Sequence, residues 1–149
     1  MEFREPVRNV LSHKGHEVAS ISPEASVYDA IALMAEKGIG ALLVTSHGKL
    51  VGILSERDYA RKVVLEGKHT RDTSVSEIMS SPVLTVRPDE TIEGCMKIVT
   101  ENRIRHLPVT EDDRIVGIVS IGDLVKWIVT EQKKTIKELE SYITGRYPS

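Results

Sequence analysis

Aromatic residues are scarce: one Phe, one Trp and four Tyr make up 4% of the 149 residues. Any core must therefore be packed by Val, Ile, Leu, Ala and Met. A single cysteine, Cys95, excludes an intrachain disulfide and argues against a thiolate zinc site. The five histidines, His13, His16, His47, His69 and His106, show no H-E-x-x-H spacing. No apolar run approaches the roughly 20 residues that cross a bilayer. The opening Met1-Glu2-Phe3-Arg4-Glu5-Pro6 is charged where a signal peptide is apolar, so a cytoplasmic protein is expected. A formal charge of −2 offers no broad positive field for nucleic acid or anionic lipid, and neither is expected as a partner. What remains, 40% hydrophobic and 28% charged residues, is an ordinary globular composition on a chain long enough to bury a core.

The chain repeats itself. Shifted by 65 residues, Val18 to Val64 lies on Val83 to Val129 without a gap. Identical pairs include Pro23/Pro88, Ile39/Ile104, Val44/Val109, Gly52/Gly117, Ser55/Ser120 and Asp58/Asp123. Each copy reads as β-α-β-β-α. A short strand (Ala19 to Ile21; Leu84 to Val86) meets a proline turn, and a helix begins after the N-cap residue Ser26 or Thr91. Its apolar face is Val27, Ala30, Ile31 and Met34, then Ile92, Cys95, Met96 and Val99. Gly38 ends the first of these helices, and Asn102 or Arg103 the second. Two apolar strands follow around Ser46-His47-Gly48-Lys49 or Glu111-Asp112-Asp113-Arg114, both hairpin signals. A last helix runs from Glu56 to about Glu66, and from Ile121 onward.

A short helix is also expected ahead of each copy, because Val7 to Leu11 resembles Val75 to Met79 at a spacing of 68. The resulting organisation is a first repeat at 1–66 with its N-terminal helix, a polar linker at 67–74, a second repeat at 75–129 and a helical tail at 130–149. One such unit buries little by itself. Two related by a pseudo-twofold axis would complete each other and create two related clefts, where function is expected.

The most informative pattern is Gly52-Ile53-Leu54-Ser55-Glu56-Arg57-Asp58, matched by Gly117-Ile118-Val119-Ser120-Ile121-Gly122-Asp123. Each is a strand ending in Ser-x-x-Asp at a helix start. Locally this is a capping box, with serine on an early amide and the acid against the positive end of the helix. Capping leaves room for a ligand, since a helix N-terminus at a strand end is a natural polar site. A carboxylate there is able to accept two hydrogen bonds from a ribose diol. No Ser/His/Asp triad is arguable from the spacing. Lys37-Gly38-Ile39-Gly40 is no dinucleotide fingerprint, since it lies between helix and strand. Cys95 sits on an apolar helix face and reads as packing.

With its tandem units, its two Gly-h-h-Ser-x-x-Asp endings and the Arg105-His106-Leu107-Pro108-Val109 strand, the chain resembles a CBS (cystathionine β-synthase) domain pair, or Bateman module, over roughly residues 7 to 129. The resemblance implies a mixed α/β fold of two β-α-β-β-α repeats plus a C-terminal helix. It also implies a non-enzymatic regulator that binds AMP, ATP, NAD(H) or S-adenosylmethionine between its repeats, with no catalytic cofactor. By the same analogy Asp58 and Asp123 hold ribose, with the hydroxyls of Ser55 and Ser120 beside them. The backbone near Ser20 and Ile21, Thr85 and Val86, Gly40 and Ala41, and His106 and Leu107 would line the adenine pockets. Similarity to small stand-alone CBS pairs favours AMP and NAD(H).

The copies differ at informative positions. Gly40 and Ala41 stand where the second copy has Arg105 and His106, and Arg57 corresponds to Gly122. Arginines suit phosphate, so Arg57 and Arg105 join the candidate nucleotide-binding residues. Arg57, Arg61 and Lys62 read equally well as a solvated helix face, whereas Arg105 and His106 enter an apolar strand. Pro108 removes a strand donor and implies an edge or a break there, next to the proposed pocket. The tail from Trp127 to Gly145 reads as a long helix whose stripe of Ile128, Ile136, Leu139 and Ile143 packs on a partner chain in a homodimer, or on its own chain. The main reading is a nucleotide sensor passing its signal to an unidentified protein. The alternative is a ligand-independent dimeric scaffold.

Overall fold

The computed structural model describes residues 3–143, the Tyr142 side chain excepted. Its elements follow the order α1 (Arg8–Lys14), β1 (Ser20–Ile21), α2 (Val27–Lys37), β2 (Ala41–Ser46), β3 (Lys49–Ser55), α3 (Glu56–Tyr59), α4 (Val75–Ile78), α5 (Ile92–Glu101), β4 (His106–Glu111), β5 (Arg114–Ser120) and α6 (Ile121–Ile143). They gather into two compact units. One holds Glu17–Thr85 and Thr110–Gly117; the other holds the chain up to His16, Val86–Val109 and the chain from Ile118. We call them the first-repeat and second-repeat units.

In the first-repeat unit a three-stranded sheet runs β1-β2-β3. β1 lies parallel to β2 (Ser20 opposite Leu43, Ile21 opposite Val44), and β3 returns antiparallel from Ser46/Lys49 to Ala41/Ser55. The β2–β3 turn closes on His47 and Gly48 alone, both at positive φ (52° and 77°). Two such residues form the turn whose twist matches paired strands. The Ser26 hydroxyl caps α2 by accepting the Asp29 N–H, and Gly38 ends the helix in the left-handed conformation (φ 64°). The buried face of α2 (Val27, Ala30, Met34) packs with Leu42, Val44, Leu54, Val63, Val75 and Ile78. Gly52 permits a close approach: a Cβ there would lie 2.9 Å from Met79 Cγ and 3.2 Å from the Ser80 carbonyl, where Ser80 bridges Ile53. The helix expected from Glu56 to Glu66 is α-helical only to Tyr59. It then widens into a π-helical turn at Ala60–Val64, with the Leu65 N–H donating to the Ala60 carbonyl five residues back (3.1 Å).

The second repeat follows the same plan with one strand lost. Thr91 caps α5 through the Gly94 N–H, and Ile92, Cys95 and Val99 are buried. α5 closes with Asn102 as cap and Arg103 at φ 53°, the position that Gly38 holds in the first repeat. The β4–β5 turn again uses two positive-φ residues, Asp112 and Asp113. The strand expected at Leu84 to Val86 does not form; a single parallel bridge joins Val86 to Val109. Pro108 explains the loss. In the first repeat the Leu43 N–H donates to the Ala19 carbonyl (3.1 Å). Pro108 occupies the position of Leu43 and has no N–H to offer Leu84, while its carbonyl still accepts from Val86 (3.1 Å).

Each repeat is clamped by a lead-in helix, and the helices do not follow sequence order. α4, after the first repeat, closes on it: the Val27 N–H donates to the Thr73 carbonyl (2.8 Å) and the Val75 N–H to the Ala25 carbonyl (2.8 Å). α1, ahead of the first repeat, makes the same bonds with the second: Ile92 N–H to Glu5 carbonyl (2.8 Å) and Val7 N–H to Glu90 carbonyl (2.7 Å). The polar 67–74 linker thus carries part of the clamp, and its Thr73 is buried. The second repeat's last helix and the tail are one continuous helix, α6. Its apolar stripe is half-buried at Ile128 and exposed further on, with Ile136 at 55%, Leu139 at 57% and Ile143 at 81%. Gly145, the expected tail end, lies outside the described residues.

Candidate functional site

The two Ser-x-x-Asp endings fold alike. In the first-repeat unit the Asp58 carboxylate accepts the Ser55 N–H (2.9 Å) and the Ser55 hydroxyl (3.0 Å), while Ser55 Oγ accepts the Asp58 N–H (3.2 Å). In the second-repeat unit the Asp123 carboxylate accepts the Ser120 N–H (2.8 Å), and Ser120 Oγ accepts the Asp123 N–H (3.0 Å). Both are the reciprocal boxes read from the spacing. One further bond recurs: the first helical amide donates to the residue just before the middle strand, Glu56 to the Gly40 carbonyl (3.0 Å) and Ile121 to the Arg105 carbonyl (2.8 Å). Each carboxylate is thereby fixed at a helix N-terminus beside the start of β2 or β4, and neither is open to bulk water; the side chains are 16% and 26% exposed.

Each aspartate also meets one ammonium, by different routes. Lys62, one turn along from Asp58, places Nζ 3.2 Å from Oδ1 and donates to the Ile78 carbonyl (2.9 Å). Lys14, from α1, places Nζ 2.6 Å from Asp123 Oδ2 and donates to the Ile118 carbonyl (2.7 Å). Burial pushes the Asp123 carboxyl up, but the Lys14 ammonium and the Ser120 N–H outweigh it and hold the group below the ordinary carboxylate value. The neighbouring side of α6 is tied to α1 as well: the Trp127 indole N–H donates to Glu5 (2.9 Å) and packs edge-on against His13 at 4.9 Å.

Most expected site residues fall around these boxes. Gly40, Ala41, Ser55, Arg57 and Asp58 meet where β2 begins, Ala41 lying opposite Ser55, with Ser20 and Ile21 on the neighbouring strand. In the second-repeat unit Val86, Leu107 and Pro108 share the strand edge, with Ser120 and Asp123 at the start of α6. One expectation is corrected. Arg105 does not enter the strand interior: it precedes β4 with its side chain exposed, and its carbonyl makes the structural contact. The Thr85 side chain is exposed, and the chain passes from one unit to the other between Thr85 and Val86. His106 is half-buried at the start of β4. Arg57 is half-buried and Arg61 exposed. Lys14 was absent from the sequence reading, because nothing local links it to an aspartate 109 residues away.

The remaining chemistry is sparse. Cys95 is fully buried, and burial pushes its thiol up to about 12, which leaves no nucleophilic thiolate. Among the described residues no group of three or more His, Cys, Asp or Glu side chains is arranged to hold a metal ion. No helix among them is long and apolar enough to cross a membrane.

Comparison with known proteins decides the family. The CBS domain model matches residues 7–65 and again 75–130. This chain belongs to the CBS domain family. The CBS pair is 40% identical over 127 residues to the mitochondrial CBS domain-containing protein CBSX3 of Arabidopsis thaliana, covering 82% of this chain and 62% of that one. The chain thus spans under two thirds of that relative's length. Among solved structures, a candidate signal-transduction protein with CBS domains from Burkholderia ambifaria is 45% identical (TM-score 0.82; 85% of this chain and 96% of that one). A hexameric CBS-CP12 protein from bloom-forming cyanobacteria is 30% identical (TM-score 0.73; 80% and 69% covered). The two-repeat α/β fold with a C-terminal helix is that of the family.

Proposed function

We propose that this CBS pair is a non-catalytic sensor of adenine nucleotides, AMP and NAD(H) foremost and ATP next. Asp58 and Asp123 would each accept a ribose diol. The observation that carries this reading is the duplicated carboxylate, oriented by its own serine amide and held at a helix N-terminus. A carboxylate already fixed in direction accepts paired hydroxyls without losing further side-chain entropy. A nucleotide acts as a signal by binding two conformations with different affinity, and the output passes to a partner protein.

Calorimetric titration of AMP, NADH and ATP against the parent, Asp58→Asn and Asp123→Asn tests this. Each substitution is expected to remove one class of site. Unchanged stoichiometry and affinity in both variants would refute the ribose assignment. A second reading, a scaffold in which the nucleotide sites are idle, draws on the exposed stripe of α6. We propose that this stripe meets a second copy in a homodimer. A melting series separates the two readings, because a nucleotide at 100 times its Kd adds about 2.7 kcal/mol of stability. A scaffold would show no shift with any nucleotide.

A further inference from the structure

Shifted by 68 residues, Lys14 of the lead-in helix falls on Pro82, so the first repeat has no lysine at that place. Shifted by 65, Lys62 falls on Trp127, so α6 has no lysine four residues after Asp123, where Lys62 stands relative to Asp58. The ammonium at Asp58 therefore travels with its own helix, while the ammonium at Asp123 belongs to another element; each is also held by a carbonyl, Lys62 by Ile78 and Lys14 by Ile118. Asp123 Oδ2 already receives the Ser120 N–H at 2.8 Å and Lys14 at 2.6 Å. A ribose diol uses both carboxylate oxygens, and an oxygen bearing an amide and an ammonium has no good direction left for a third donor. Resting on the nucleotide reading above, we propose that Lys14 is a built-in competitor for the second-repeat site. The ligand binds Asp123 by displacing the Lys14 ammonium, and the displacement cuts one tie between α1 and α6.

The rest of α1 stays in place during this exchange. Val7, Val10 and Leu11 are buried, and the segment is pinned to Pro88 and Glu90 by backbone bonds. What changes is the last turn of α1, which leads through Gly15 (φ 108°) toward β1. Occupancy at Asp123 is thus reported to the chain entering the first repeat, and by linkage a tighter Lys14 contact weakens the ligand to the same degree.

The test uses AMP and an Asp58→Asn background, which isolates the second site. Against that parent, Lys14→Met is expected to tighten AMP about two- to five-fold, the range a partly exposed ion pair supplies. Lys14→Arg, which keeps the charge, is expected not to tighten it, and Asp123→Asn to abolish binding. If Asp123→Asn abolishes binding while Lys14→Met leaves it unchanged or weaker, the competitor is refuted and the nucleotide reading stands. If Asp123→Asn leaves AMP binding intact, or the Asp58→Asn protein binds none, the nucleotide reading of this site fails. A readout that needs no nucleotide is the rate at which an amine-reactive reagent labels Lys14, followed by mass spectrometry. It should rise several-fold in Asp123→Asn, and in the Asp58→Asn protein on saturation with AMP. An unchanged rate in Asp123→Asn, with the melting profile showing a folded protein, would overturn the proposal.

Discussion

The internal repeat supplies a controlled experiment on helix termination. Gly38 and Arg103 occupy equivalent positions and share the left-handed conformation, at φ 64° and 53°. A side chain in that region costs about 1–2 kcal/mol, against which glycine gives up about 0.4–1 kcal/mol through its freer unfolded chain. Arg103→Gly should therefore stabilise the protein by about 0.5–1 kcal/mol. Gly38→Ala should destabilise it by a similar amount. No atom lies within 4 Å of a Cβ built at Gly38, so the penalty is backbone strain alone. The Arg103 side chain is exposed, so little packing is lost in the reverse change. Urea unfolding of the parent, both single variants and the double variant measures the effect. The double variant should return close to parental stability, since the sites lie in separate units and should add. A destabilised Arg103→Gly protein, or a neutral Gly38→Ala, would show that these helix ends are not limited by backbone conformation.

Two further outcomes are expected. Because the Asp123 carboxyl lies below its ordinary value in the folded protein, its stabilising contribution is present above roughly pH 4 and is lost as the pH falls through the folded value. Asp123→Asn should flatten the acid side of the stability profile by under about 1 kcal/mol, as befits a partly exposed pair, and an unaltered acid limb in urea titrations would contradict it. On α6, Ile136→Lys with Leu139→Lys should reduce self-association in light scattering and remove the dependence of melting temperature on protein concentration, because both side chains are exposed within the chain. A lower melting temperature with self-association unchanged would show that the stripe packs on its own chain.

Much of the fold was legible because its signals are local. The Ser26 and Thr91 caps, the Gly38 stop and the two reciprocal Ser-x-x-Asp boxes all lie where the spacing put them. Pro108 announced a missing donor, and the missing donor is what reduces the second repeat's first strand to one bridge. What escaped the sequence is tertiary. The similarity of Val7–Leu11 to Val75–Met79 revealed two lead-in helices but not which repeat each one closes, since either is short enough to reach across a turn. The π-helical turn at Ala60–Val64 has no compositional mark. Arg105 was expected inside a strand because its neighbours are apolar, yet it precedes β4, its carbonyl makes the contact and its side chain is exposed.

The crossed assignment of the lead-in helices bears on how this protein is divided. Cutting the gene within codons 67–74 yields two pieces, each keeping the brace that belongs to the other. Glu17 to Ser80 carries the first repeat together with its brace, since α4 trails the repeat it fastens. The second repeat joins its brace in one stretch only after permutation, with α1 grafted ahead of Val86 or behind α6. A duplicated ancestor that interlocked in this way could not afterwards lose either copy without unfastening the survivor.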